Sequence, residues 1–75
     1  MKLGNNLKRC RLDHNETPQQ ELADAIGVTR QTIYAIEKGK FVPSTLLALK
    51  IADYFDKSVE EIFFVMNGSG GENNE

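Results

Sequence analysis

Arg30, Gln31 and Tyr34 fall on one side of a helical period whose opposite side carries Ile33 and Ile36. An arginine presents a planar fork of donors that matches O6 and N7 of guanine, and a glutamine pairs bidentately with adenine. Each such pairing contributes ~1–3 kcal/mol of discrimination between bases. On an ordinary helix the same residues would be a solvated polar face. Lys38 and Lys40 flank Gly39 just beyond and offer point charges suited to phosphate oxygens, or simply to solubility. Gln19, Thr29 and Thr32 complete the polar set, because each lies near a helix start, where free N–H groups suit an anionic oxygen.

Other chemistry finds little support. Cys10 is the single cysteine, which excludes an internal disulfide, and its position three residues after Leu7 reads as a small buried hydrophobe. The single histidine, His14, leaves no metal cluster, and at the end of a first helix it complements the helix dipole. Glu60 and Glu61 are accounted for by helix capping. With no glycine-rich phosphate cradle, no Ser or Cys beside a plausible base and no metal-ligand spacing, neither an enzyme nor a cofactor is expected.

The elements that must position the polar set are legible around it. Leu22 and Ile26 are four apart, Ile33 and Ile36 three apart, and Gly27 punctuates between them. That pattern predicts two short helices joined by a tight turn, with Gly27 in the left-handed conformation and Thr29 capping the second helix. Ala23 stands where the two helices cross most closely. Upstream, Leu3, Leu7 and Cys10 predict a first amphipathic helix ending near His14 and Asn15, and Thr17 with Pro18 reads as the capped start of the next. Downstream, Ser44 caps a fourth helix with Leu47, Ala48, Ile51, Ala52 and Phe55 inward, leaving Leu46 and Leu49 outside the stripe. Ser58 and Glu61 form a capping box that opens a short fifth helix, with Val59, Ile62 and Phe63 inward. Phe64, Val65 and Met66 exceed what that helix needs, and exposed apolar groups in such numbers favour an interface with a second copy.

At these residues the chain resembles the helix-turn-helix domains of the lambdoid phage repressor and Cro type, the XRE family of transcriptional regulators. The matching residues are Gln19, Leu22, Ala23, Ile26, Gly27, Val28, Thr29, Gln31, Thr32, Ile33, Ile36, Glu37 and Gly39, followed by Pro43, Ser44, Ala48, Lys50, Ile51, Ala52, Val59, Ile62 and Phe63. The resemblance covers roughly residues 3–64, nearly the whole chain. The resemblance implies an all-α, compact five-helix domain in which helices 2 and 3 form the helix-turn-helix. It implies base reading at the first two positions of the second of these helices, Arg30 and Gln31, beside which Tyr34 faces outward, while Gln19, Thr29, Thr32, Lys38 and Lys40 remain the phosphate candidates by position and charge. It also implies a structural ion pair between Arg11 and Glu37. Its partner would be double-stranded DNA, bound at a palindromic operator by a homodimer whose interface holds Phe64, Val65 and Met66, with repression the commonest outcome. The chain departs from the family pattern at Glu16, where an apolar residue is usual, and by one extra residue between Arg11 and Leu22. Two other readings stay open: an antitoxin or restriction-modification controller of the same fold, and a protein-interaction module that has lost DNA affinity.

Length and charge frame these expectations. Seventy-five residues suffice for one domain, taken as residues 1–66, with residues 67–75, which hold no apolar side chain, as a disordered polar tail. No apolar run approaches a membrane span and no signal stretch opens the chain, so a cytoplasmic protein without membrane or small-molecule partners is expected. The net charge of −2 is unevenly divided. Residues 1–43 hold seven basic and five acidic groups, giving +2, and residues 44–75 hold two basic and six acidic, giving −4. Such a division suits a protein that turns one face to phosphate, while the acidic total is what keeps the interaction-module reading open.

Overall fold

The computed structural model describes residues 2–66, so the tail expected over residues 67–75 lies outside the described residues. The elements run β1 (Lys2–Asn5), α1 (Leu7–Asp13), α2 (Gln19–Ile26), α3 (Arg30–Glu37), α4 (Thr45–Phe55), α5 (Val59–Ile62) and β2 (Phe63–Met66). Leu7, Leu22, Ile33, Ile36, Ile51 and Ile62 are fully buried, so every helix sends at least one large aliphatic side chain into the same core. Ala23 is completely buried between α2 and α3, with Val28 packed at the margin.

The five helices are present, but the chain is not strictly all-α. β1 and β2 form a two-stranded antiparallel sheet in the register Lys2↔Met66, Leu3↔Val65, Gly4↔Phe64, Asn5↔Phe63. Leu3 therefore does not begin the first helix. It is in phase with Leu7 and Cys10 in sequence, yet it packs against the core from a strand. The Asn5 side chain accepts from the Leu7 N–H at 3.0 Å, satisfying a donor at the start of α1, and donates to the Ile36 carbonyl at 2.9 Å. Gly4 has a packing reason: a Cβ there would come within 2.5 Å of the Phe64 ring and 2.6 Å of the Met66 sulfur. Phe64, Val65 and Met66 accordingly extend not a fifth helix but a strand.

The connection from α1 to α2 also differs from the sequence reading. Thr17 is not the cap of α2. Its hydroxyl donates to the His14 carbonyl at 2.5 Å, and the N-cap position is held by Pro18, which has no side chain able to cap. Asn15 and Glu16 both take left-handed backbone conformations, φ 55° and 52°, and reverse the chain between α1 and α2. Elsewhere local signals act as expected. The Thr29, Ser44 and Ser58 side chains accept from the backbone N–H groups of Thr32, Leu47 and Glu61, and Ser58 with Glu61 completes a capping box.

Candidate nucleic-acid interface

The turn between α2 and α3 is set by Gly27, whose φ of 80° places it in the left-handed region. Its N–H and that of Val28 both return to the Ala23 carbonyl, at 2.9 and 3.0 Å, which closes the carbonyl end of α2. Thr29 then caps α3: its Oγ1 accepts from the Thr32 N–H at 3.2 Å, and the Thr29 and Thr32 hydroxyls lie 3.1 Å apart. With Ile33 and Ile36 buried, Arg30, Gln31 and Tyr34 are left exposed on the far side of α3. The Lys38 ammonium sits 5.7 Å from the centre of the Tyr34 ring, so a positive charge extends this exposed row at the end of the helix. Gly39, at φ 74°, turns the chain away, and Lys40 is exposed beyond it.

Behind the row lies a hydrogen-bonded chain that links α1, α2 and α3. Arg11 and Glu37 meet with Nε to Oε2 at 2.6 Å and Nη2 to Oε1 at 3.1 Å, and their side chains are only 10% and 6% exposed. The remaining fork of Arg11 donates to the Thr17 carbonyl at 2.9 Å. Gln19 donates from Nε2 to Glu37 Oε1 at 3.1 Å and accepts at Oε1 from Arg30 Nη1, also at 3.1 Å. Sequence reasoning assigned Gln19 to phosphate alone. Its two side-chain contacts come from tertiary packing, and no local signal in the sequence marks them.

The start of α2 lies beside this chain. Pro18 brings no donor and no capping side chain, so the first N–H groups of α2 are not closed off by a side chain as those of α3 are. Among the described residues, no group of three or more His, Cys, Asp or Glu side chains could hold a metal ion. No described helix is long and apolar enough to cross a membrane.

On β2, Phe64, Val65 and Met66 are 40, 60 and 48% exposed, and Met66 lines one groove with Glu37, Lys38 and Gly39 at the end of α3. Phe64 and Met66 lie over Gly4 on one face of the sheet, and by strand alternation Val65 shares the other face with Leu3 and the buried Phe63. A groove of about 260 Å³, lined by Leu3, Val42, Pro43, Leu49 and Phe63 among others, joins that second face to the outer side of α4. Leu46 and Leu49 are both exposed there.

A family model described as helix-turn-helix matches residues 7–62. The chain is 56% identical over 59 residues to an uncharacterized HTH-type transcriptional regulator of Methanocaldococcus jannaschii, covering 79% of this chain and 88% of that protein. It is 53% identical over 47 residues to another of Bacillus subtilis, covering 63% of this chain and 71% of the relative. A third, from Archaeoglobus fulgidus, is 49% identical over 57 residues, or 76% of this chain and 79% of its own length. These relatives come from both archaea and bacteria.

Proposed function

The chain belongs to the helix-turn-helix family of the repressor and Cro type, and from that premise we propose that it binds an operator in the major groove as a homodimer and regulates transcription, usually by repression. The observation that carries this reading is the exposed row of Arg30, Gln31 and Tyr34 on α3, backed by a buried apolar face that leaves the row free to enter a groove. Arg30 and Gln31 open the helix, where side chains approach base edges in a directional way, and Tyr34 follows one turn later. Gln19, Thr29, Thr32, Lys38 and Lys40 are assigned to phosphate. The unclosed N-terminus of α2 supports this for Gln19, and the exposure of the two lysines supports it for them. The Arg11–Glu37 pair holds α1 against the end of α3.

A second copy would seat on β2, against Phe64 and Met66 on one face of the sheet or against Val65 on the face that the groove joins to α4 with Leu49. Twofold symmetry would set two copies of α3 about one DNA turn, ~34 Å, apart and require a palindromic site. The location is the cytoplasm, where such a site would be reached.

Selection from random duplexes followed by gel-shift titration across salt concentrations tests the proposal. Binding to a palindrome with a linear fall of log affinity against log salt supports it. Equal, weak retention of every sequence would favour a protein-interaction module, to which the acidic net charge is also suited.

A further inference from the structure

We propose that the buried Arg11–Glu37 pair, acting through Gln19, fixes the orientation of Arg30 and so sharpens its choice of base; the inference rests on the base-reading role proposed above. The four side chains form one network whose donors converge on the Glu37 carboxylate. Arg30 Nη1 donates to Gln19 Oε1 at 3.1 Å, Gln19 Nε2 donates to Glu37 Oε1 at 3.1 Å, and Arg11 grips both oxygens of Glu37 from the other side.

The direction of the Gln19 amide is dictated by charge. A cation stands at one end of the Gln19 amide and an anion at the other, so reversing the amide would set its NH2 against the guanidinium and its oxygen against the carboxylate. Glu37 can serve as a fixed anchor because its side chain is 6% exposed and both its oxygens are held by Arg11. Gln19, half-buried, is the rigid spacer between that anchor and exposed Arg30. Arg30 gives up one of its five donors to this contact and keeps Nε and Nη2 for a base edge. A long side chain that would otherwise sample many rotamers is thus ordered before DNA arrives, and the ordering cost is not charged against the correct base. Glu37 and Gln19 are positioning residues in this scheme, since neither needs to touch a base.

The test compares base discrimination at the pair read by Arg30, identified as the pair whose preference Arg30→Ala relaxes. Gln19→Met keeps the length of the side chain and removes both hydrogen bonds. Arg11→Met combined with Glu37→Leu replaces the ion pair by apolar groups, an exchange that buried pairs often tolerate in stability. Both variants should remain folded and lose about three- to tenfold in discrimination at that one pair, with other pairs unaffected. A merely structural ion pair would leave discrimination intact in the folded double variant, which would overturn the proposal. So would Gln19→Met with unchanged discrimination, or with an equal loss on all sequences, which would make Gln19 a phosphate contact only. Should the double variant not fold, Glu37→Gln takes its place, with the same expectation and the same overturning result. If Arg30→Ala itself changed no base preference, the failure would lie in the base-reading proposal instead.

Discussion

Replacing Arg11 by methionine isolates the energetic centre of the domain. The substitution removes both hydrogen bonds from Arg11 to Glu37 and the one to the Thr17 carbonyl. The Glu37 carboxylate, 6% exposed, is then left with Gln19 Nε2 as its side-chain partner. An unpaired charge at that depth costs about 3–5 kcal/mol. A 75-residue chain has a total stability of only about 4–11 kcal/mol at typical per-residue values, so the variant would lose about a quarter or more of what holds it folded. At about 4–8 °C per kcal/mol for a domain of this size, the melting temperature would fall by roughly 12–40 °C. Denaturant titration of wild type and Arg11→Met, followed by circular dichroism, measures the difference directly. Adding Glu37→Leu should restore most of it, because the second substitution removes the stranded charge. A loss under ~1 kcal/mol for Arg11→Met alone would show that the pair carries no more than an exposed ion pair does.

Three further outcomes follow from local geometry. Glu16→Gly should raise stability by about 0.5–1 kcal/mol, because glutamate is held at φ 52° where glycine is unstrained, and a decrease on denaturation would contradict this. The backbone N–H of Ser58 holds the Glu61 carboxyl below its ordinary value of 4.5, with the Lys57 charge and the Ser58 hydroxyl adding to the effect against partial desolvation. Its stabilisation is therefore complete above that value and fades as pH falls through the lowered one, so Glu61→Gln should flatten the acid limb of a stability-versus-pH curve; an unaltered limb would remove the capping carboxylate as its cause. Phe64→Glu should shift sedimentation from dimer toward monomer at micromolar concentration without loss of helix content, whereas a monomeric wild type under the same conditions would exclude a dimer through β2.

The parts of the fold legible in the sequence are those written in neighbouring residues. Gly27 between two aliphatic pairs, and the hydroxyl caps Thr29, Ser44 and Ser58, act within a few positions of themselves, and each takes the conformation its type favours. The sheet was hidden because it pairs residues 2–5 with residues 63–66, and because Leu3 faces the core equally well from a strand as from a helix. Thr17 misled because the N-cap position falls one residue later, on Pro18, while the Thr17 hydroxyl is turned back to the His14 carbonyl, away from the free N–H groups of α2. In the candidate site, the exposed row on α3 follows from the placement of Ile33 and Ile36. The link from Arg30 through Gln19 to Glu37 depends on three elements meeting in space, which residue spacing does not encode.

Binding of Arg30→Ala and Lys40→Ala to matched and mismatched duplexes across a salt series separates base reading by Arg30 from the charge that Lys40 supplies. Arg30→Ala should cost ~1–3 kcal/mol on the preferred site and relax preference at one base pair. Lys40→Ala should weaken binding to every sequence alike and reduce the salt slope by about one. If Arg30→Ala instead lowered affinity equally for all sequences, Arg30 would be a phosphate contact, and the exposed row on α3 would not be the reading head.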